Sequence, residues 1–541
     1  MATMILITCF LLITWWGAKM FCTIWRKPKM IEKRLKQQGI HGHPYKLLYG
    51  SAKEIMKFSK ESVSKPKEQS HDILPHLNPL IENLVATYKD KFVVWYGTTP
   101  RVTLTDPKLV KEVMSDISGE FPKPRNANID YFVTGVASYR GEKWAKHRKI
   151  ILPAFHIEKL KKMLPAFSLC ASEMVEKWDK LAGQNGSCEL DVWPEFQNLT
   201  GNAISRAAFS SSFEDGRLIF QLQKEQARLY MKSLYYIKFP WSRCYHLPNS
   251  LLAHLWFSFL CSALTRFHDQ LYRFFPTTVN RRMREIHKQV GSLLECMIKK
   301  REEAIKLGNS NKEDLLDLLL RSSLAEIQES KNLTAGLSTK DVIEECKLFY
   351  FVGQESTGTL LSWTLICLSM HQNWQTQTRE EILKIIGKNK PSFNDLIEMN
   401  TVHMILLEVL RLYPPISVLR CVEKETQLGD LSLPKGIQLY MPFYVIHRDP
   451  KHWGEDAMEF NPDRFSEGLS KASKDETSYF PFGWGPRNCI GQNFSLLQAK
   501  LVLVIILQHF WFELSASYIH VALESITLCP KYGAQIIFHR I

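Results

Sequence analysis

Residues 482–491 read Phe-Gly-Trp-Gly-Pro-Arg-Asn-Cys-Ile-Gly, and the apolar run FSLLQAKLVLVIILQHF begins three residues later. No other stretch confines the chain so tightly. Turn-forming residues must present one cysteine, Cys489, at the start of a buried helix. Gly485 and Gly491 flank the cysteine. Glycine suits positive-φ turns and lets backbone approach a flat ligand closely. Arg487 stands two residues before Cys489, placed to pair with an anionic group. The positive end of the following helix lies beside the sulfur and favours a thiolate over a thiol.

A thiolate held by glycine turns, next to a cation and a helix N-terminus, suits a haem iron that needs a proximal sulfur ligand. The bland alternative is a buried structural cysteine in a glycine-rich turn. Five spaced positions, F-x-x-G-x-R-x-C-x-G, coincide from Phe482 to Gly491. That coincidence favours the ligand. The other cysteines of the twelve are scattered, with no CxxC pair. They read as mostly buried free thiols in a reducing compartment.

At the other end of the chain, residues 1–25 carry one charge, Lys19, around the apolar run MILITCFLLITWW. About 20 apolar residues span a bilayer. The basic stretch RKPKMIEKRLK follows directly. Positive charge stays on the cytoplasmic side, so the expectation is a single-pass anchor over 1–25 with the body of the chain in the cytosol. A cleaved signal peptide would place its charge before the apolar run and small residues after it. The whole chain carries 69 Lys and Arg against 55 Asp and Glu, a net charge of +14 over 541 residues. The excess is dispersed, and neither zinc-finger spacing nor an RNA-recognition signature occurs. This excludes a nucleic-acid role and suits acidic partners or an anionic membrane surface.

A basic and polar stretch over 26–80 leads into the body at 81–541. KFVVWYG (91–97) and RVTLT (101–105) predict a hairpin. Helical patterns then dominate, among them 340–375, 377–388, 401–412 and the run after Cys489. Residues 307–340 are rich in Ser, Asn and Lys and predict an exposed loop. The last 35 residues return to strand. The fold class expected is mainly α with small β pieces (α+β), a single large domain behind the N-terminal anchor.

Further motifs fit around the loop. In FYFVGQESTG, Glu355, Ser356 and Thr357 interrupt an apolar helix. An acid beside a hydroxyl in an apolar groove can relay protons to bound oxygen. Glu408 and Arg411 lie three apart, on one helix face, upstream of the loop. Arg464 follows in FNPDRF. A carboxylate shared by two guanidiniums stays ionised and satisfied when buried. Trp144 and Arg148 lie four apart on another helix face.

The loop PFGWGPRNCIGQNF resembles the haem-binding signature of the cytochrome P450 family of haem-thiolate monooxygenases. FPKPRNANIDYFVTGVASYRGEKWAKHRKIILPAFH, CELDVWPEFQNLT and FYFVGQESTG look most like the plant group that contains secologanin synthase. The resemblance implies a single cytochrome P450-type domain binding haem b (iron protoporphyrin IX), with Cys489 as the metal ligand. Phe482, Arg487 and Gly491 would cradle the haem. Trp144 and Arg148, with Arg420 as a weaker candidate, would hold a propionate. Glu408, Arg411 and Arg464 would form a structural network behind the loop, and His447 would be structural too. Glu355, Ser356 and Thr357 would be catalytic, although Val352 and Ser356 depart from the family's small residue and Thr. The 121–136 loop, Phe351, Val352 and 415–419 are candidate pocket linings.

The activity implied is insertion of one oxygen atom from O2 into a C–H bond of a small apolar plant metabolite, a terpenoid by resemblance. Electrons would come from NADPH through an NADPH–cytochrome reductase docked near Lys143, Lys146 and Lys149, at the endoplasmic reticulum membrane. Two rival readings stay open. One is a reductase-independent haem-thiolate isomerase or dehydratase. The other is an impaired haem-binding relic. Residues 237–270 form an atypical apolar insertion, read as a gene-model error or a second membrane-touching element.

Overall fold

One helix of 32 residues, Thr339–Met370, is the axis of the molecule. Ser338 and Asp341 start it with a reciprocal capping box, which satisfies two otherwise unpaired N–H groups. From Leu360 to Leu368 every residue is buried. A helix apolar on all sides must be packed on all sides. The helix Val192–Phe209 crosses it, joined by the Thr200 hydroxyl to the Gln354 carbonyl (2.8 Å) and by Gln354 Nε2 to the Gln197 carbonyl (3.1 Å). The helix Gln492–His509, half of it Leu, Val and Ile, packs between the axial helix and Ile157–Ala182.

The computed structural model describes residues 2–47, 49–64, 69–124, 129–132, 134–209, 213–238, 277–307, 314–330, 336–475 and 478–541. The atypical 237–270 stretch lies outside them beyond Lys238. The expected hairpin is present as Lys91–Tyr96 paired antiparallel with Thr99–Leu104. It joins a five-stranded sheet in the order 41–42, 91–96, 99–104, 438–441, 418–421. A three-stranded sheet sets Gln535–Arg540 between Ser187–Asp191 and Phe510–Leu514. The fold is therefore mainly helical with small sheets, as expected.

Some expectations are corrected. The predicted 307–340 loop contains a helix, Leu315–Ser330. Leu315, Leu316, Leu319 and Leu320 are buried, and the Arg301 guanidinium meets Asp314 at 2.6 Å. Its polar composition concealed a helical apolar stripe. The 340–375 helix ends at Met370, and a second begins at Gln372. The 26–80 stretch carries helices too, and Ile31 and Leu35 of Lys27–Gln37 are buried. All nine cysteines whose side chains are described are free, and three of them are fully buried. Among the described residues one helix, Thr3–Gln37, is long and apolar enough to cross a membrane.

Behind the axial helix runs a buried polar chain. His371 Nε2 lies 2.8 Å from His71 Nε2, and His71 Nδ1 lies 2.7 Å from the Tyr413 hydroxyl. Tyr413 contacts His520 Nε2 at 3.1 Å, and His520 Nδ1 meets Tyr518 at 2.9 Å. Neutral imidazoles satisfy every link with all protons pointing one way, in either direction. Burial first, then neighbouring positive charge, pushes His71 well below its usual pKa and His520 down to about 4.

These two histidines give stability a pH slope. Their folded pKa lies below the unfolded value of about 6.5, so the unfolded chain takes up protons first as pH falls. Their contribution is whole above about 6.5 and is lost progressively below it. Urea unfolding of the detergent-solubilised protein at pH 7, 6 and 5 should lose about 1.4 kcal/mol per pH unit for each such histidine below 6.5. His520→Asn should make that profile shallower, and an unchanged slope would count against neutral burial.

Candidate functional site

The cysteine loop gets its shape from two glycines with positive φ, Gly483 (75°) and Gly485 (68°). A Cβ on Gly485 would stand 2.6 Å from the Met114 carbonyl oxygen, so the loop lies flat on the end of the helix Pro107–Met114. The Cys489 N–H donates to the Phe482 carbonyl at 2.9 Å and the Asn488 N–H to the Gly485 carbonyl at 3.1 Å. Gly491 does not take the left-handed turn expected of it. Its φ is −85°, and a Cβ there would meet only the Cys489 sulfur, at 3.9 Å.

Cys489 is open to a cavity of about 340 Å³. Burial raises its thiol pKa, opposed by the Gly491 N–H and the Arg148 guanidinium. The cation acting on the sulfur is thus Arg148 rather than the expected Arg487. Burial wins, so the loop alone favours the thiol. An anionic sulfur here needs positive charge supplied from the cavity side.

The far character of the cavity is cationic. Lys123, Arg148, Arg420 and Arg487 line it beside Trp144, and no Asp or Glu does among the described residues. The Arg487 guanidinium lies 4.3 Å from the Trp144 ring centre and that of Arg148 5.9 Å. The side-chain partners of these cations are neutral. Lys123 donates to the Ala137 carbonyl, Arg487 to the Tyr139 carbonyl (3.1 Å), Arg148 to the Asn488 carbonyl (3.0 Å) and Arg420 to the Leu419 carbonyl (3.1 Å). Burial and then mutual repulsion hold Lys123 down at about 7 and Arg420 at about 10.

Sulfur, apolar walls and unneutralised cations fit a flat apolar ligand with a Lewis-acid centre and anionic arms. A haem meets that description. Lys123 was not foreseen. Its only sequence signal was its place in the 121–136 loop, between Pro122 and Pro124.

The axial helix contributes Val352, Ser356 and Thr357 to the wall. The Ser356 hydroxyl donates to the Val352 carbonyl (2.8 Å), and Thr357 contacts the Ser495 hydroxyl (2.9 Å). Glu355 does not join them. It is not part of the cavity wall, and its carboxylate accepts from the Thr527 hydroxyl at 2.9 Å. Burial raises its pKa. The expected acid–hydroxyl pair in the groove is therefore not formed. Phe351 also leaves the wall and packs edge-on against Phe132. Val136, Pro415, Ile416 and Val418 do line it.

The network behind the loop is tighter than expected at one end and looser at the other. Glu408 and Arg411 are fully buried and paired through two bonds of 2.7 Å. Arg411 also donates to the carbonyls of His447 (2.7 Å), Ala457 (2.6 Å) and Glu459 (2.9 Å). His447 Nε2 accepts the Phe480 N–H at 2.9 Å, which carries the clamp to the chain entering the cysteine loop. Arg464 stands off from Glu408 at 3.8 Å and pairs with Asp456 at 2.7 Å. Sequence reasoning missed Asp456.

Removing one partner of a buried ion pair strands the other. Glu408→Ala should cost about 3–5 kcal/mol in chemical unfolding. Asp456→Ala, half-exposed, should cost about 1 kcal/mol or less. Equal losses would contradict the assigned division of labour.

Comparisons with known proteins agree with this geometry. Residues 73–538 match the cytochrome P450 family model. "Cytochrome P450 CYP72A616" of Paris polyphylla is 47% identical over 96% of this chain and 95% of its own length. "Secologanin synthase 1" of Catharanthus roseus is 44% identical over 99% and 97%. "11-oxo-beta-amyrin 30-oxidase" of Glycyrrhiza uralensis is 45% identical over 97% and 96%. A cavity floored by one cysteine and rimmed by cations, in a chain with these relatives, leads to one conclusion: the protein belongs to the cytochrome P450 family of haem-iron monooxygenases, alongside plant members such as the secologanin synthases.

Proposed function

We propose that the chain is a membrane-anchored monooxygenase acting on a small apolar plant metabolite of the terpenoid class, with haem b held by Cys489. The observation that carries this reading is the cavity itself, with one sulfur at its floor and, among the described residues, four cations but no acid in its wall. When bound, the haem supplies activation of dioxygen, from which one oxygen atom enters a substrate C–H bond and the other leaves as water.

The chain's own residues do the rest. Phe482, Gly491 and the loop turns set the sulfur at the cavity floor. Arg148, Arg420 and Arg487, joined by Lys123, would neutralise two carboxylate arms, and the Trp144 ring lies against the guanidiniums of Arg487 and Arg148. Val352, Val136, Ile416 and Val418 exclude water and shape the substrate space. The Ser356 hydroxyl lies in the wall of that space and passes a proton into it only by turning from the Val352 carbonyl, and Thr357 is tied through Ser495 to the cysteine helix. Glu355 positions the axial helix against Thr527 and reaches the cavity only by rotating. Glu408, Arg411 and Arg464 hold the loop's entry strand.

Residues 1–25 serve as a single-pass anchor in the endoplasmic reticulum membrane, 26–80 lead into the body, and 81–541 form the cytosolic catalytic domain. Electrons come from an NADPH–cytochrome reductase. Of its expected docking lysines, Lys143 is paired with Asp341 and Lys149 with Glu326, each at 2.8 Å, so an acidic partner would compete with those carboxylates. The terpenoid class is supported by the names of the relatives.

The turned-away Glu355 favours a second reading, a reductase-independent isomerase or dehydratase, which needs no proton relay to oxygen. Turnover of a terpenoid panel with and without NADPH and reductase separates the two. The first reading expects product only with both present.

The sulfur assignment is tested apart from turnover. Reduced, carbon monoxide-treated microsomes should show the red-shifted Soret band of a thiolate-ligated haem. Cys489→Ser should abolish that band while the far-ultraviolet circular dichroism of the purified protein stays the same. A band unaltered by the substitution, or absent from folded wild-type protein, would overturn the proposal.

A further inference from the structure

A single carboxylate, Glu345, sits where three elements meet and touches none of the cavity. It projects from the axial helix and is fully buried. Its Oε1 lies 2.6 Å from His147 Nδ1, and its Oε2 accepts the Val136 N–H at 3.0 Å. His147 belongs to the helix Gly141–Ile151 that carries Trp144 and Arg148. Val136 belongs to a short turn, Gly135–Ala137. That turn is built around the carboxylate. Gly135 has φ of 72°, and a Cβ on it would stand 2.6 Å from Glu345 Oε2.

The same turn and its continuation receive the cavity cations. Lys123 donates to the Ala137 carbonyl, and Arg487 donates to the Tyr139 carbonyl at 3.1 Å. Glu344 adds a second tie, accepting the Thr134 hydroxyl and Lys347 Nζ (3.0 Å). Asp341, one turn back along the axial helix, lies 3.6 Å from His147 Nε2.

We propose that Glu345 is a positioning residue that sets the cationic end of the cavity by pinning the 134–139 segment and the 141–151 helix to the axial helix. Three of the four cations depend on elements it holds: Lys123 and Arg487 through the turn's carbonyls, Arg148 through the helix of His147. Like-charged side chains in a buried site separate unless their partners are fixed. The neutral carbonyls can hold Lys123 and Arg487 together only if the turn itself cannot move. The anionic group that then fills this end is the haem's carboxylates, and to that extent the inference rests on the reading above.

Two measurements test it on the full-length protein. Amide hydrogen exchange of Val136–Tyr139 needs no haem. In Glu345→Ala it should quicken about tenfold, the effect of losing one buried hydrogen-bond partner, while 492–509 stays unchanged. Haem transfer to excess apomyoglobin is the second. Glu345→Ala and Lys123→Met should each speed it, and the double variant should be little faster than Glu345→Ala alone, because Lys123 acts through the turn that Glu345 holds. Arg420→Met, whose partner lies outside the turn, should add its full effect to Glu345→Ala.

Glu345→Gln, nearly isosteric, carries the same measurements if the alanine variant fails to fold, and Glu345→Asp should restore part of the protection. Unchanged exchange at 136–139, or additive effects of Glu345→Ala and Lys123→Met, would overturn the inference. Failure of wild-type protein to bind haem, with exchange still responding as stated, would sink the haem reading and leave the pinning role standing.

Discussion

Positive charge gathered in one cavity wall, with no acid beside it among the described residues, is the constraint around which the site is arranged. Four cations face one cavity, and burial lowers the pKa of each. Each could relieve the strain by leaving, and the fold denies it that exit. Lys123 lies between two prolines, Arg420 in the edge strand of the five-stranded sheet, Arg148 on a helix and Arg487 in a turn beside the sulfur. Their partners are carbonyls, which orient a charge without cancelling it. A site so prepared is complementary to an anion that arrives later. The sulfur, held at the cavity floor with its pKa raised, is prepared in the same sense for a cationic centre.

The Glu408–Arg411 pair solves the opposite problem. There the charges cancel, at two bonds of 2.7 Å, and the rest of the guanidinium is spent on three carbonyls. A buried pair of this kind adds little net stability over an apolar substitute, but it fixes geometry because no other arrangement satisfies every donor. The geometry it fixes is the entry to the cysteine loop. His447 lends its carbonyl to Arg411 and its Nε2 to the Phe480 N–H. Burial holds that imidazole's pKa at about 3, so it remains an acceptor at any physiological pH.

Much of this was legible in the sequence where the signal is local. The loop residues, the hairpin, the long helices and the Glu408–Arg411 face follow from spacing within one element. What escaped is what depends on two elements meeting. Glu355 and Ser356 are neighbours in sequence, yet on a helix neighbours point to different faces, and Thr527, in the bend between the strands Ala522–Glu524 and Leu528–Pro530, claimed the acid. Gly491 sits in the motif without a positive φ; the left-handed turns lie earlier, at Gly483 and at the motif's own Gly485, where the backbone crosses the end of the 107–114 helix. Asp456 and Lys123 carry no local pattern at all. The approach of Arg464 gives Asp456 its role, and the Ala137 carbonyl holds Lys123 in the cavity wall. The 315–330 helix was masked by composition, its leucine stripe diluted by flanking Ser, Asn and Lys.

The two ends of the cavity differ in how the chain builds them, and this bears on how the protein comes to be stable. The sulfur end is local: the turns of 482–491 and the helix after them can form together. The cationic end collects residues from 123, 148, 420 and 487, and those cannot converge until the body has folded. Convergence sets like charges together, and their repulsion opposes the last step of folding. Whatever anion binds there binds the folded chain alone, and it adds to stability in proportion to its saturation. Folding and loading are therefore coupled through the cations rather than through the cysteine. A chain that keeps its sulfur but loses the convergence of its cations would fold more easily and hold its ligand less well.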